Sequence, residues 1–177
     1  MFNFNINNMN KKIEDAINAQ INAELWSAYL YLSMGTNFRA KGLDGIANWF
    51  EVQFKEEQDH AMIFYKYMQS RGARVVLKPI AKVQTDWKSP VEAFEDTLAH
   101  EKKVTEMIHN INKLAIEAKD YATQNRMVWF VDEQVEEEEE AGKNLEALKA
   151  IGDNALGLYM FDKELGAREY HQASALK

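Results

Sequence analysis

The stretch Glu56-Glu57-Gln58-Asp59-His60 decides how this chain is read. On a helix, Glu57 and His60 stand one turn apart on one face. Phe50, Phe54, Ala61 and Phe64 share that face, at offsets of −7, −3, +4 and +7 from Glu57. An acid and an imidazole on an apolar stripe are costly to bury unless they are paired or bind a metal. One such pair arises by chance in many helices, so its weight depends on what the rest of the chain sets against it.

Outward from this stretch the chain reads as long helices. Ile13, Ile17, Ile21, Leu25, Ala28 and Leu32 recur every three or four residues and predict a first helix over 10–38. Lys41-Gly42-Leu43-Asp44-Gly45 is a turn. The second helix spans 44–71, with Gly72 just past its end. Over 73–88 Pro79 breaks the helical period. Val75, Val76, Leu77, Ile80 and Val83 there anchor an extended connection. Ser89-Pro90-Val91-Glu92 is a helix start, with a capping serine, proline at the first position and glutamate closing the capping box. The third helix runs over 90–118. A tight turn at Lys119-Asp120 leads to a fourth over 121–150, and a short fifth covers 155–165.

Each long helix is about 42 Å at ~1.5 Å per residue. The connection over 73–88 can reach ~50 Å if extended, the full length of a bundle. Short turns make the first pair and the second pair antiparallel, and the long connection makes the second and third helices parallel. The expectation is an all-α four-helix bundle with one long crossover and a short fifth helix, in a single domain over 1–177.

In that bundle Glu24, Glu57, Glu101 and Glu137 each fall near the middle of a different helix. Glu101 is set among Phe94, Leu98, Val104 and Ile108, as Glu57 is among phenylalanines. Four acids at one level, one per helix, cannot all stay ionised without a cation. Metal binding is the simplest resolution.

Composition narrows the chemistry. The chain has 177 residues, 46% hydrophobic and 28% charged, with only two prolines and eight glycines, as in a helical globular protein. A net charge of −7 and no basic face argue against nucleic acid. There are no cysteines, so disulfides, zinc knuckles and iron–sulfur clusters are excluded. Carboxylates and histidines remain as ligands and suit iron or manganese. Residues 1–10 lack a basic lead-in and a long apolar core, and no apolar run approaches ~18 residues. The expectation is a cytoplasmic protein without a membrane span.

The residues also carry a resemblance. Asn22-Ala23-Glu24-Leu25-Trp26-Ser27-Ala28-Tyr29-Leu30-Tyr31, Lys55-Glu56-Glu57-Gln58-Asp59-His60, Glu101 and 129–138 (Trp-Phe-Val-Asp-Glu-Gln-Val-Glu-Glu-Glu) resemble non-haem bacterial ferritin over nearly the whole chain. The resemblance implies iron storage and ferroxidase activity in a hollow homo-oligomeric shell of twenty-four subunits. Fe2+ would be oxidised to Fe3+ by dioxygen or hydrogen peroxide and kept as a ferric oxy-hydroxide mineral. It implies that Glu24, Glu57 and His60 hold a first iron. Glu57 bridges to a second, held by Glu101 and Glu137 with Gln134 nearby. A third position matches Glu56, Glu133 and Glu136, with Glu137 shared. Tyr31 and Trp129 match an aromatic pair near the centre, and Glu117 and Asp120 match pore positions. Haem is not implied, because Gln58 stands where bacterioferritin has its haem methionine, and Gln134 and Glu137 replace that family's second Glu-x-x-His. A cysteine-free chain also cannot be a rubrerythrin.

Plainer readings stand beside these. Glu138 and Glu139 read as a solvated face, with Glu140 a secondary ligand. His100 and His109 read as surface or satisfied core residues, and His171 as idle in a polar tail. Trp26, Trp49 and Phe50 read as packing, and Met34, Met62 and Met68 as core filler. The alternative function is a non-catalytic bundle, or a shell subunit that nucleates mineral without rapid oxidation.

Overall fold

The computed structural model describes residues 9–176; residues 1–8, on which the reading of the leader mostly falls, lie outside the described residues. The described residues form five α-helices and no strands. They are α1 (Lys11–Ala40), α2 (Asp44–Ser70), α3 (Pro90–Glu117), α4 (Tyr121–Ile151) and α5 (Ala155–Leu165), followed by a 3-10 turn at Ser174–Leu176.

The helix ends follow local chemistry. Asn10 caps α1 through Lys12 N–H. The α1–α2 turn passes through Gly42 at φ +75, and α2 ends before Gly72 at φ +67, both in the left-handed region that glycine occupies without strain. Ser89 Oγ accepts from Glu92 N–H at 3.2 Å, and Pro90 sits in the first turn of α3. The Glu92 carboxylate reaches back to Lys88 N–H at 2.7 Å, one residue beyond the position a capping box uses. Asp120 caps α4 through Thr123 N–H.

The core shows how the helices run. One apolar cluster joins Ile13, Ile17 and Ile21 of α1 to Phe64 and Met68 of α2, Ile108 of α3, and Met127 and Phe130 of α4. The other joins Met34 and Phe38 of α1 to Ile46 and Phe50 of α2, Phe94 of α3, and Leu145 and Leu148 of α4. The start of α1 thus meets the ends of α2 and α3 and the start of α4. So α2 and α3 are parallel, and each is antiparallel to its hairpin partner.

The crossover, 71–89, is extended along α1. The Asn18 amide donates to Arg74 O and accepts from Val76 N–H, and Ser33 donates to Gln84 O. Its packing differs from the sequence expectation. Val83 and Trp87 are buried, whereas Val76, Leu77 and Ile80 face outward. Extended backbone has no period to show which side is covered. At the far end α5 docks on the start of α2, where Asp162 Oδ1 accepts from Gly45 and Ile46 N–H, both at 2.9 Å. No helix among the described residues is long and apolar enough to cross a membrane.

Candidate metal centre

Between the two apolar clusters lies a polar layer. Glu24, Glu57 and Glu101 are each 1% exposed, His60 and Gln134 3%, and Glu137 6%. Each helix carries apolar residues on both sides of its acid, so the helical period turns the four carboxylates inward, and helix rise with the full-length crossover brings them to one level.

The layer has two foci. Ligand atoms of Glu24, Glu57 and His60 all lie within 4.8 Å of one another, and so do those of His60, Glu133 and Glu137. His60 sits between them, with Nδ1 3.5 Å from Glu57 Oε2 and Nε2 3.6 Å from Glu133 Oε1. Tyr31 donates its hydroxyl to Glu101. Gln134 donates to Glu101 Oε2 and Glu101 O, each at 3.3 Å. Trp129 packs edge-on against His60 at 5.6 Å between ring centroids.

Two buried amides not singled out in the sequence complete the layer. Gln20 donates to Glu24 Oε1 at 2.9 Å, and Gln53 to Glu137 Oε2 at 2.7 Å. Each lies four residues before Glu24 or Glu57, one turn away on the same face. Polar residues at that offset from buried acids are the signal that would have found them.

Electrostatics explains why the layer is unsettled without a cation. Burial pushes Glu57 well above the carboxylate range, and Glu24 and Glu101 add to this while His60 opposes it. Burial also drives Glu101 up to about 7 and Glu137 up to about 8. It raises Glu24 and Glu56 as well. For His60 burial favours the neutral ring, but Glu133 and Glu57 outweigh it and leave its pKa well raised. Burial, then Glu101 and Glu57, hold the Tyr31 phenol protonated.

Glu24 Oε2, Glu57 Oε2 and His60 Nε2 are buried without a hydrogen-bond partner. Buried polar atoms are nearly always satisfied. Two unsatisfied carboxylate oxygens at one focus, and an unsatisfied imidazole nitrogen turned to Glu133 at the other, fit metal binding in a layer of otherwise repelling acids.

The other singled-out residues fall as follows. Glu133 lies at the edge of the layer, and Glu56 is largely buried beside it. Glu136 is exposed and belongs to neither ligand group. Glu138 accepts from Thr105 at 2.6 Å. His100 is half-buried and satisfied: its Nε2 lies 2.7 Å from Ser27 Oγ, and desolvation lowers its pKa to about 4. His109 and His171 are exposed. The Asp120 carboxylate caps α4 and meets Arg71 at 2.9 and 3.1 Å. Glu117 is exposed, 4.0 Å from Lys113.

Known proteins resemble this chain over most of its length. The ferritin-like domain family matches residues 14–151. A bacterial non-heme ferritin of Staphylococcus aureus (strain USA300) is 37% identical over 164 residues, 93% of this chain and 99% of that protein. That of Staphylococcus saprophyticus is 38% identical over 165 residues, with the same coverage. Among solved structures, an open pore ferritin from the hyperthermophilic archaeon Archaeoglobus fulgidus superposes with a TM-score of 0.90 at 44% identity, covering 91% of this chain and 99% of that one. A humanized archaeal ferritin gives 0.91 at 44% identity, covering 92% and 99%.

Proposed function

This chain belongs to the ferritin family, and on that premise we propose that it stores iron by oxidising Fe2+ at the buried layer and passing the ferric product to a mineral. The observation that carries the proposal is the Glu24, Glu57 and His60 group, whose ligand atoms lie within 4.8 Å of one another in the buried layer.

Iron is the substrate here. Glu24, Glu57 and His60 receive one ferrous ion. Glu57 bridges to a second that Glu101 and Glu137 receive, with Gln134 steadying Glu101. The bridge keeps the two ions close enough for one dioxygen or hydrogen peroxide to take two electrons from the pair. Hard carboxylate oxygens favour ferric over ferrous iron, which makes the transfer downhill. Gln20 and Gln53 hold Glu24 and Glu137 in orientation from behind. Tyr31 and Trp129 border the layer and can supply further electrons. Glu133 and Glu56 extend from it as an exit route, and Glu136 lies farther out.

The proposal includes a closed homo-oligomeric shell of twenty-four subunits. Exposed apolar side chains on α1, the crossover and α5 support it, among them Tyr29, Leu77, Ile80, Leu156 and Met160. A cysteine-free chain also fits the reducing cytoplasm.

The test is to add Fe2+ anaerobically to the iron-free protein, admit air or peroxide, and follow ferric absorbance and particle size together. Rapid oxidation by a large particle, saturating at about two or three irons per subunit, is the expected result. Glu57→Ala with His60→Ala should abolish the fast phase while assembly persists. Large particles with only slow, unsaturating oxidation would leave a nucleating shell and remove the catalytic centre.

A further inference from the structure

A histidine and a tryptophan meet on each flank of the buried layer. On one flank Trp129 packs against His60. On the other, Trp26 of α1 packs against His100 of α3 with 5.1 Å between ring centroids. His100 in turn meets the Tyr31 ring edge-on at 6.1 Å, and Tyr31 donates its hydroxyl to Glu101. The imidazole is held in this place. Ser27 Oγ donates to Ala23 O at 3.0 Å, so at 2.7 Å it accepts from His100 Nε2–H. Trp26 and His100 are half-buried, whereas Tyr31 is fully buried. A row of three rings thus runs from solvent to a carboxylate of the layer.

A second row leaves Tyr31 through Phe50, with ring centroids at 6.1 Å, and reaches Trp49 at 5.1 Å. Two features count against it as a path for electrons. Trp49 is 2% exposed, so an oxidised indole there could neither lose its proton to water nor be refilled from outside. The Arg168 guanidinium also lies 4.9 Å from the Trp49 ring centroid. A cation attracted by a ring's electrons opposes the removal of one of them.

We propose that Trp26 supplies an electron to Tyr31 across His100, so that a centre holding a single ferrous ion can still reduce hydrogen peroxide fully. The inference rests on the reading of the layer as an iron centre. Peroxide takes two electrons, and one ferrous ion gives only one. Tyr31 gives the second, and its hydroxyl proton passes to Glu101, which already accepts it. An electron then moves from Trp26 to Tyr31, the proton returns from Glu101, and the Trp26 indole releases its N–H proton to solvent. The O–O bond breaks and two waters form, taking up that proton and one more from solvent. One Fe2+, one indole, one peroxide and one proton become one Fe3+, one neutral indole radical and two waters. A one-electron reductant in solvent, such as a further ferrous ion, refills Trp26. Without this supply the single ferrous ion would split peroxide into hydroxide and hydroxyl radical inside the core. Trp26 touches neither iron nor oxidant and acts through Tyr31, and His100 bridges the two rings without being oxidised.

The test is freeze-quench electron paramagnetic resonance. The assembled, iron-free protein, carrying ring-deuterated tryptophan, receives ferrous iron at half the level that fills the pair and is mixed with peroxide. In the parent a tyrosyl radical should give way to a tryptophan radical, marked by the narrowed lines of the deuterated ring. Trp26→Phe should lose the tryptophan signal, prolong the tyrosyl one and raise the hydroxyl radical caught by a spin trap. Trp26→Tyr, which restores an oxidisable ring, should return the trapped radical to the parent level, which a packing role alone would not achieve. Trp129→Phe should keep the tryptophan signal. No tryptophan radical in the parent, one that survives Trp26→Phe or vanishes in Trp129→Phe, or equal trapped radical in parent and Trp26→Phe would each overturn the proposal. If the parent fails to oxidise ferrous iron even with the pair filled, the reading of the centre falls and this supply with it. Failure of the supply alone leaves that oxidation intact.

Discussion

Gln53 donates to Glu137 Oε2 at 2.7 Å, reaching from α2 across the bundle to α4. Gln53 is fully buried, and its own carbonyl oxygen has no partner. The bond fixes one carboxylate oxygen and leaves the other for the metal. Gln53→Leu should therefore weaken metal binding at the Glu101 and Glu137 position by roughly 10–100-fold and leave the Glu24 position near its parent affinity. Stepwise Zn2+ titration separates the two. Equal weakening at both positions would mean that Gln53 acts only by packing.

The metal-free protein should lose stability as pH rises from about 4 to about 8. Burial raises Glu101 to about 7 and Glu137 to about 8, against roughly 4.3 in an unfolded chain. The folded state thus holds these protons more tightly. Their contribution is complete below the unfolded pKa and is lost as pH rises through the folded values. His60, also raised, acts with the same sign. Bound metal favours the ionised carboxylates, so the trend should flatten or reverse with Zn2+ present. Denaturant midpoints across this range, with and without Zn2+, check both parts.

Tyr31→Phe keeps the ring in its packing and removes the donor to Glu101. The Tyr31 hydrogen bond favours the ionised form of Glu101 and so opposes the effect of burial. Without it, the pH of half-maximal metal uptake should move upward, and oxidation should suffer more at pH 6 than at pH 8. A loss of equal size at both values would assign Tyr31 to electron donation alone.

Gly45→Ala should be costly, and Gly142→Ala should not. A Cβ on Gly45 would fall 1.5 Å from Asp162 O and 2.9 Å from Gly166 N, so α5 would have to move. A loss of roughly 1–3 kcal/mol is expected, with the α5 docking weakened. A Cβ on Gly142 meets nothing within 4 Å. There alanine's helix preference should add up to about 1 kcal/mol. Thermal unfolding of the two variants side by side gives the comparison.

The bundle was legible because its signals are local and repeated. Ile13, Ile17 and Ile21 state a period, Gly72 states a stop, and Ser89-Pro90 states a start. The placing of Glu24, Glu57, His60 and Glu101 at one level followed from helix rise and the length of the crossover. Two things were not legible. Gln20 and Gln53 are uncharged, and an amide on an apolar stripe shows its importance only once its acid partner is in place. The segment over 166–176 has no period at all. Its contacts, Arg168 to Glu56 and Asp59 to Tyr170, join residues more than a hundred positions apart. The Asp120 carboxylate reads as a free acid until Arg71 is found beside it.

The polar layer divides the apolar core into two separate clusters, one on either side of the middle of every long helix. In most helical bundles the centre is where amide protons exchange most slowly with solvent and the ends fray first. Here the emptied molecule should have a weak waist. Deuterium should enter the backbone around Glu24, Glu57, Glu101 and Glu137 ahead of the flanking turns. Filling the centre should close that window and join the two halves into one cooperative unit, so that the rigidity of the subunit becomes a gauge of what it carries.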